Sequence, residues 1–247
     1  MENTNGIIEA IGLSKSYHKK EVLRIDQMTI RSGGITCVMG PSGAGKSTML
    51  RIVNMLEVPT TGEVNYFGQP VPTVPADRLK LQRRMTMVFQ KAALLDMSVY
   101  ENIAFGLHAR RIPPEETRRR VMTALETVGM SEQRSQRGKT LSAGEAQRVA
   151  FARAAVLQPE VLLLDEPTAN LDPANVELLE TMILDLNREH GTTILMVTHN
   201  LFQARRLAHD VMFFYQGQLL ESGSTERVFN TPANEYTRSF VEGSMVY

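Results

Sequence analysis

The sequence predicts an α/β fold, and three patterns carry that expectation. Short apolar runs at residues 35–39, 161–164 and 193–197 read as buried strands. Helical patterns at residues 48–56, 175–190 and 201–208 alternate with them, and a glycine-rich turn joins the first run to the first helix. Strand, crossover helix and strand in that order imply a mostly parallel sheet covered by helices.

The N-terminal part adds a different pattern. Residues 6–13, 21–30 and 63–67 are strand-like, with turn signals at Gly33-Gly34 and Thr61-Gly62, and predict a β-rich flank around one loop. Residues 91–157 read as mostly helical. The stretch 113–130 shows why: Pro114 suits the first helical position, Glu115 and Glu116 follow it, and arginines come later. Arg118, Arg119 and Arg120 look like a nucleic-acid patch in isolation, but on such a helix they read as a solvated face.

Composition narrows the function classes. A chain of 247 residues with 43% hydrophobic content can bury a sizeable core. Lys plus Arg equals Asp plus Glu at 27 each, so no overall field draws it to nucleic acid or to an anionic membrane. The single cysteine, Cys37, lies in an apolar run and reads as a small buried hydrophobe. The start, MENTNGIIEA, lacks a basic segment followed by an apolar core, and no run approaches membrane-spanning length. A soluble, cytoplasmic chain is expected, reaching a membrane only through another protein.

The strongest motif is Gly40-Pro41-Ser42-Gly43-Ala44-Gly45-Lys46-Ser47-Thr48, which fits G-x-x-x-x-G-K-[ST] between a strand and a helix. The glycines let backbone N–H groups approach phosphates, and the following helix points its positive end at the same anion. Lys46 is expected to reach the β- and γ-phosphates, and Ser47 to offer its hydroxyl to Mg²⁺. A merely glycine-rich turn would leave Lys46 unexplained.

Downstream, the run at 161–164 ends in Asp165-Glu166-Pro167, so two acids emerge at the carboxyl end of a buried strand, where α/β sheets gather ligands. Asp165 then reads as a Mg²⁺ ligand acting through water, and Glu166 as the group that orients or deprotonates the attacking water. Paired acids there could instead cap the next helix. Before them, Ser142 and Glu145 form an S-x-x-E capping box at the start of an alanine-rich helix, which alone signals only a well-started helix.

The phosphate loop, the serine-led segment Leu141-Ser142-Ala143-Gly144-Glu145 and Asp165-Glu166 stand in the order and spacing of the ATP-binding-cassette family, which the chain resembles over essentially its whole length. The resemblance implies a P-loop NTPase fold of that family with an antiparallel β subdomain. Residues 1–90 and 158–247 would form the core with that β subdomain, and residues 91–157 an inserted helical subdomain. It implies that Tyr17 stacks on adenine, that Gln90 is the lid glutamine on the metal and γ-phosphate, that Asp172 belongs to a dimer-contact loop and that His199 is the switch histidine. Singly, these residues would read as a strand aromatic, a surface amide, a helix N-cap and a helix-entry residue.

The resemblance also implies an ATP sandwich, in which the phosphate loop of one chain faces Ser142 and Gly144 of a second. ATP as the nucleotide rests on the resemblance, as do a homodimer, transmembrane permease subunits and, indirectly, a substrate-binding protein. The family's usual Leu-Ser-Gly-Gly-Gln becomes Leu-Ser-Ala-Gly-Glu here, so Ala143 and Glu145 depart from it while Ser142 and Gly144 remain. Ala92 to Leu95 and Met97 to Ile103 resemble the family's docking surface for a membrane partner, although ordinary helix packing explains them equally.

The closing portion, with Gly217 to Gly223, Pro232 and Tyr236 to Phe240, resembles the end of bacterial importer ATPases. Within importers, residues 141–172, Thr198-His199-Asn200 and Leu201 to Arg206 look most like tungstate-type oxyanion systems, with phosphate and polar amino-acid importers close beside them. Two other classes compete. A cassette ATPase acting on nucleic acid or ribosomes would usually resemble tandem cassettes or carry a coiled-coil insertion, and a phosphate-loop kinase would leave Ser142 and His199 without a role.

Overall fold

The computed structural model describes residues 6–245. The chain opens with a hairpin of β1 (Gly6–Tyr17) and β2 (Lys20–Arg31), closed by His18 and Lys19, both at positive φ (47° and 68°). Two such residues match the twist of the flanking strands. Next come β3 (Ile35–Met39), α1 (Lys46–Val53), β4 (Thr61–Tyr66), the short β5 (Gln69–Pro70), α2 (Pro75–Gln82) and β6 (Met85–Val88). Then only helices follow until residue 160: α3 (Val99–Ala109), α4 (Pro114–Thr127), a 3-10 turn at Gly138–Thr140 and α5 (Ala143–Ala155). The remainder is β7 (Val161–Asp165), α6 (Pro173–His190), β8 (Thr193–Val197), α7 (Leu201–Leu207), β9 (Asp210–Tyr215), β10 (Gln218–Ser224), α8 (Thr225–Asn230) and α9 (Glu235–Val241).

All ten strands join one sheet in the order β5-β4-β1-β2-β10-β9-β3-β8-β7-β6. The four strands from β3 to β6 in that order pair parallel, as does β9 with β3, whereas β1, β2, β4 and β5 pair antiparallel. The two patterns meet at β10, which runs antiparallel to β9 and touches β2 through Gln218 opposite Arg24. The backbone N–H of Arg24 donates to the Gly217 carbonyl at 2.7 Å, closing that seam.

Alternate side chains of the central strands feed two cores. Cys37, Leu164, Met196 and Phe213 pack with α3, α5 and α6 on one face, and Val38, Leu163, Val197 and Phe214 pack with α1 and the β1–β2 hairpin on the other. Covered on both faces, β3, β7 and β8 are buried at every position, which is why they read as unbroken apolar runs. Cys37 is fully buried, and burial pushes its thiol far above its ordinary range.

Helix boundaries differ from expectation. The first helix begins at Lys46, directly after Gly45 in a left-handed conformation (φ 91°), and stops at Val53. The helix expected over 113–130 runs Pro114–Thr127. Its Glu116 accepts from the guanidinium groups of Arg119 and Arg120, which keeps those arginines on the helix's own surface. No helix among the described residues is long and apolar enough to cross a membrane.

Candidate functional site at the carboxyl edge of the sheet

Four neighbouring parallel strands end at one edge: β3 and β7 flank β8, and β6 lies beyond β7. In register, Val38 opposes Val197, Val197 opposes Asp165 and Leu164 opposes Val88. The segments carrying Gly40, Gln90, Glu166 and His199 therefore leave the sheet side by side. Local chemistry fixes each exit. Gly40 adopts φ 141°, and a β-carbon there would lie 2.0 Å from the Phe214 carbonyl oxygen, so only glycine fits beside β9. The exposed Ser42 and Gly43 form the crest of the loop, Pro41 and Ala44 are buried beneath it, and Gly45 and Thr48 are the N-cap and third residue of α1.

Lys46 is only 7% exposed, and its ammonium donates to the carbonyls of Gly40 and Pro41, both at 2.7 Å. Burial pulls its pKa down, while Glu166 and Asp165 favour the charged form. The Ser47 hydroxyl donates to Asp165 Oδ1 at 3.0 Å, linking phosphate loop and acid pair across the sheet. Burial raises the Asp165 carboxyl above its usual range, and the Ser47 bond counters part of that rise.

Glu166 takes φ 47°, a left-handed conformation that is strained for a side-chain-bearing residue, and its N–H donates to the Val197 carbonyl at 3.0 Å. Its Oε2 accepts from Gln90 Nε2 at 3.1 Å and lies 3.4 Å from His199 Nδ1. Three residues far apart in sequence thus meet on one carboxylate oxygen. Together with Lys46 and Ser47 they form a cluster of phosphate-binding and proton-accepting groups, open to solvent on the Gln90 and His199 side.

The other predicted residues sit outside this cluster. Ser142 caps α5 through a complete capping box: Glu145 Oε2 accepts from the Ser142 N–H at 2.9 Å and its hydroxyl at 2.8 Å. Gly144 packs on α6, since a β-carbon there would fall 2.6 Å from the Asn175 carboxamide. That carboxamide bonds Asp172 at 2.6 Å, and Asp172 also accepts from the Asn175 N–H at 3.0 Å as the N-cap of α6. Tyr17, at the end of β1, bonds Glu57 through its hydroxyl, which raises the phenol's pKa. Its ring is 39% exposed, with Lys15 over one face.

The same edge holds Gln203, which the sequence carried only within the Leu201 to Arg206 likeness and gave no role. Gln203 is completely buried on α7 and contacts Thr168, Thr198 and Glu180. A lone glutamine within a helical pattern has no motif, and the one available signal was a polar residue at a core-facing position.

The family described as ABC transporter matches residues 23–169, more than half of the chain. The chain belongs to that family. This ABC transporter ATPase is 39% identical to the phosphate import ATP-binding protein PstB 2 of Natronomonas pharaonis, over 96% of this chain and 86% of that protein. It is 41% identical to the tungstate uptake system ATP-binding protein TupC of Peptoclostridium acidaminophilum, over 87% of this chain and 97% of that one. Among solved structures, a dimeric ATP-binding cassette in a post-hydrolysis state bound to ADP and Pi superposes with a TM-score of 0.81 at 29% identity, covering 88% of this chain and 98% of that one.

Proposed function

We propose that this chain energises uptake of a small oxyanion, and that ATP is hydrolysed by the strand-edge cluster once a second copy supplies Ser142 and Gly144. The observation that carries the reading is the meeting of Gln90, Glu166 and His199 on one carboxylate oxygen, beside a lysine and serine on the phosphate loop. In this reading Lys46 exchanges the Gly40 and Pro41 carbonyls for the β- and γ-phosphate oxygens of the substrate, with the N-terminal end of α1 aimed at the same charge. Glu166 holds the attacking water and accepts its proton, while His199 keeps the carboxylate in place.

The residues present suit Mg²⁺. Ser47, Asp165 and the carbonyl oxygen of Gln90, whose NH₂ is already directed at Glu166, offer hard oxygen donors of three kinds. Held there, Mg²⁺ would supply positive charge against the charge that develops on the departing phosphoryl group. Tyr17 would stack on the adenine after releasing Glu57, and Asp172 would meet the facing chain. Residues 91–157 form the proposed helical subdomain, docking on permease subunits at the cytoplasmic face of a membrane.

The two named relatives support phosphate and tungstate alike as the cargo class, and both are tetrahedral oxyanions. Sedimentation of Glu166→Gln tests the shared site: ATP, and not ADP, should drive dimerisation, and Ser142→Arg should abolish it. ATP binding with no dimer would remove the shared-site reading for the isolated chain. Uptake of labelled phosphate and tungstate by cells lacking this chain then assigns the cargo, and loss of neither would overturn the oxyanion reading.

A further inference from the structure

One buried amide ties together the two loops that carry Glu166 and His199. Thr198 directly precedes His199, and its hydroxyl donates to Gln203 Oε1 at 2.7 Å. Thr168 stands two residues past Glu166, and its hydroxyl lies 3.2 Å from Gln203 Oε1 and 3.0 Å from Gln203 Nε2. The same Nε2 donates to Glu180 Oε1 at 2.9 Å. Gln203 therefore spans the loops after β7 and β8 while anchored on α6.

The anchor is itself fixed. Glu180 is 6% exposed and accepts from Arg206 Nε at 2.9 Å and from Arg206 Nη2 at 2.6 and 2.7 Å. The main chain of Gln203 is held too: its N–H donates to Asn200 Oδ1 at 3.1 Å, and the Asn200 N–H donates to the Thr198 hydroxyl at 3.1 Å. Both faces of the Gln203 amide are thus used, and its orientation is determined by its neighbours.

Stability is a poor reason for such a device. Desolvation of the buried Glu180 carboxylate cancels much of what it gains from Gln203 and from Arg206, whose side chain is 54% exposed, and an apolar side chain of similar volume would fill the Gln203 space about as well. What the network supplies is geometry. The last ladder pair between β7 and β8 is Asp165 with Val197, and the Glu166 N–H adds one main-chain bond to the Val197 carbonyl; past that bond, the separation of the two loops needs a side-chain contact. Gln203 provides it one residue from His199 and two from Glu166.

We propose that Gln203 is a positioning residue that clamps the Thr168 and Thr198 loops so that His199 and Glu166 stay in contact. The proposal rests on the reading of Glu166 and His199 as hydrolytic groups. A clamp of this kind acts on turnover, since small misplacements of reacting groups cost up to about a hundredfold in rate.

The test combines kinetics with NMR of the histidine rings, five in the chain, with His199 assigned from His199→Ala. Gln203→Leu should lower kcat about tenfold or more with ATP affinity unchanged. It should also move the His199 ring resonances in the direction that Glu166→Gln moves them, leaving those of His190 in place. Thr198→Val, which removes one arm of the clamp, should give the same changes at smaller amplitude and serves if Gln203→Leu fails to fold. Unmoved His199 resonances, or equal movement of all the histidines, would overturn the clamp. Wild-type hydrolysis by Glu166→Gln and His199→Ala would instead remove the reading on which it rests.

Discussion

The strand-edge cluster and the segment around Ser142 belong to one proposed site, yet they are built in opposite ways. The cluster is bonded internally across the sheet: Ser47 to Asp165, Gln90 to Glu166, and His199 beside the same acid. Among the described residues Ser142 bonds only its own helix, through Glu145, in the arrangement that Ser98 and Glu101 form at the start of α3. Both N-caps even share φ −62° and ψ 163°. The cluster's side chains are held by distant parts of the same chain, whereas the exposed Ser142 hydroxyl is held by its own first turn.

The largest effect should come from the cluster. Glu166→Gln is expected to slow hydrolysis by about 10²- to 10⁴-fold in a steady-state ATPase assay, with nucleotide binding retained. A rate near wild type would mean that the convergence on Glu166 is not the hydrolytic device. Asp165→Asn should also abolish turnover, yet stabilise the nucleotide-free chain at neutral pH, because the amide carries no charge to bury. The sign follows from burial: the folded carboxyl titrates above its unfolded value, so the ionised wild type is penalised. Thermal melts should therefore show the gap closing as pH falls through the folded pKa toward the unfolded one.

The two capping boxes give a sharper contrast at smaller amplitude. Ser98→Ala and Ser142→Ala should each cost about 1 kcal/mol in denaturant unfolding, but only Ser142→Ala should weaken ATP-dependent association. Equal effects on association would erase the distinction between the regions. Smallest of all is Glu145→Gln, expected to keep ATPase activity. The Ser142 N–H, then its hydroxyl, holds the Glu145 carboxyl below its usual range, so that contribution is present above the unfolded pKa and lost as pH falls through the folded one. The glutamine variant should lack that acid step.

Much of the cluster was legible because its parts are contiguous motifs. Lys46 and Ser47 follow a glycine loop, and Asp165 and Glu166 end an apolar run, so spacing alone placed them. Gln90 and His199 were legible only through family likeness, because a single amide or imidazole has no local pattern. The Gln203 network was not legible, since Thr168, Glu180 and Gln203 lie on three elements and acquire meaning only when packing joins them. The single ten-stranded sheet was hidden for a similar reason. Residues 217–224 carried a likeness but no strand reading, and their pairing with β9 and β2 depends on tertiary register.

The position of Cys37 offers a practical opportunity. The thiol is enclosed in the core that packs against α3, α5 and α6, its ionisation suppressed by burial, so maleimides and spin labels should leave it untouched in the folded chain. Cysteines introduced at the exposed positions Ala143 and Asn170 would then be the only reactive thiols, and a fluorophore pair there could follow the first turn of α5 against the loop after β7 without first removing a native residue.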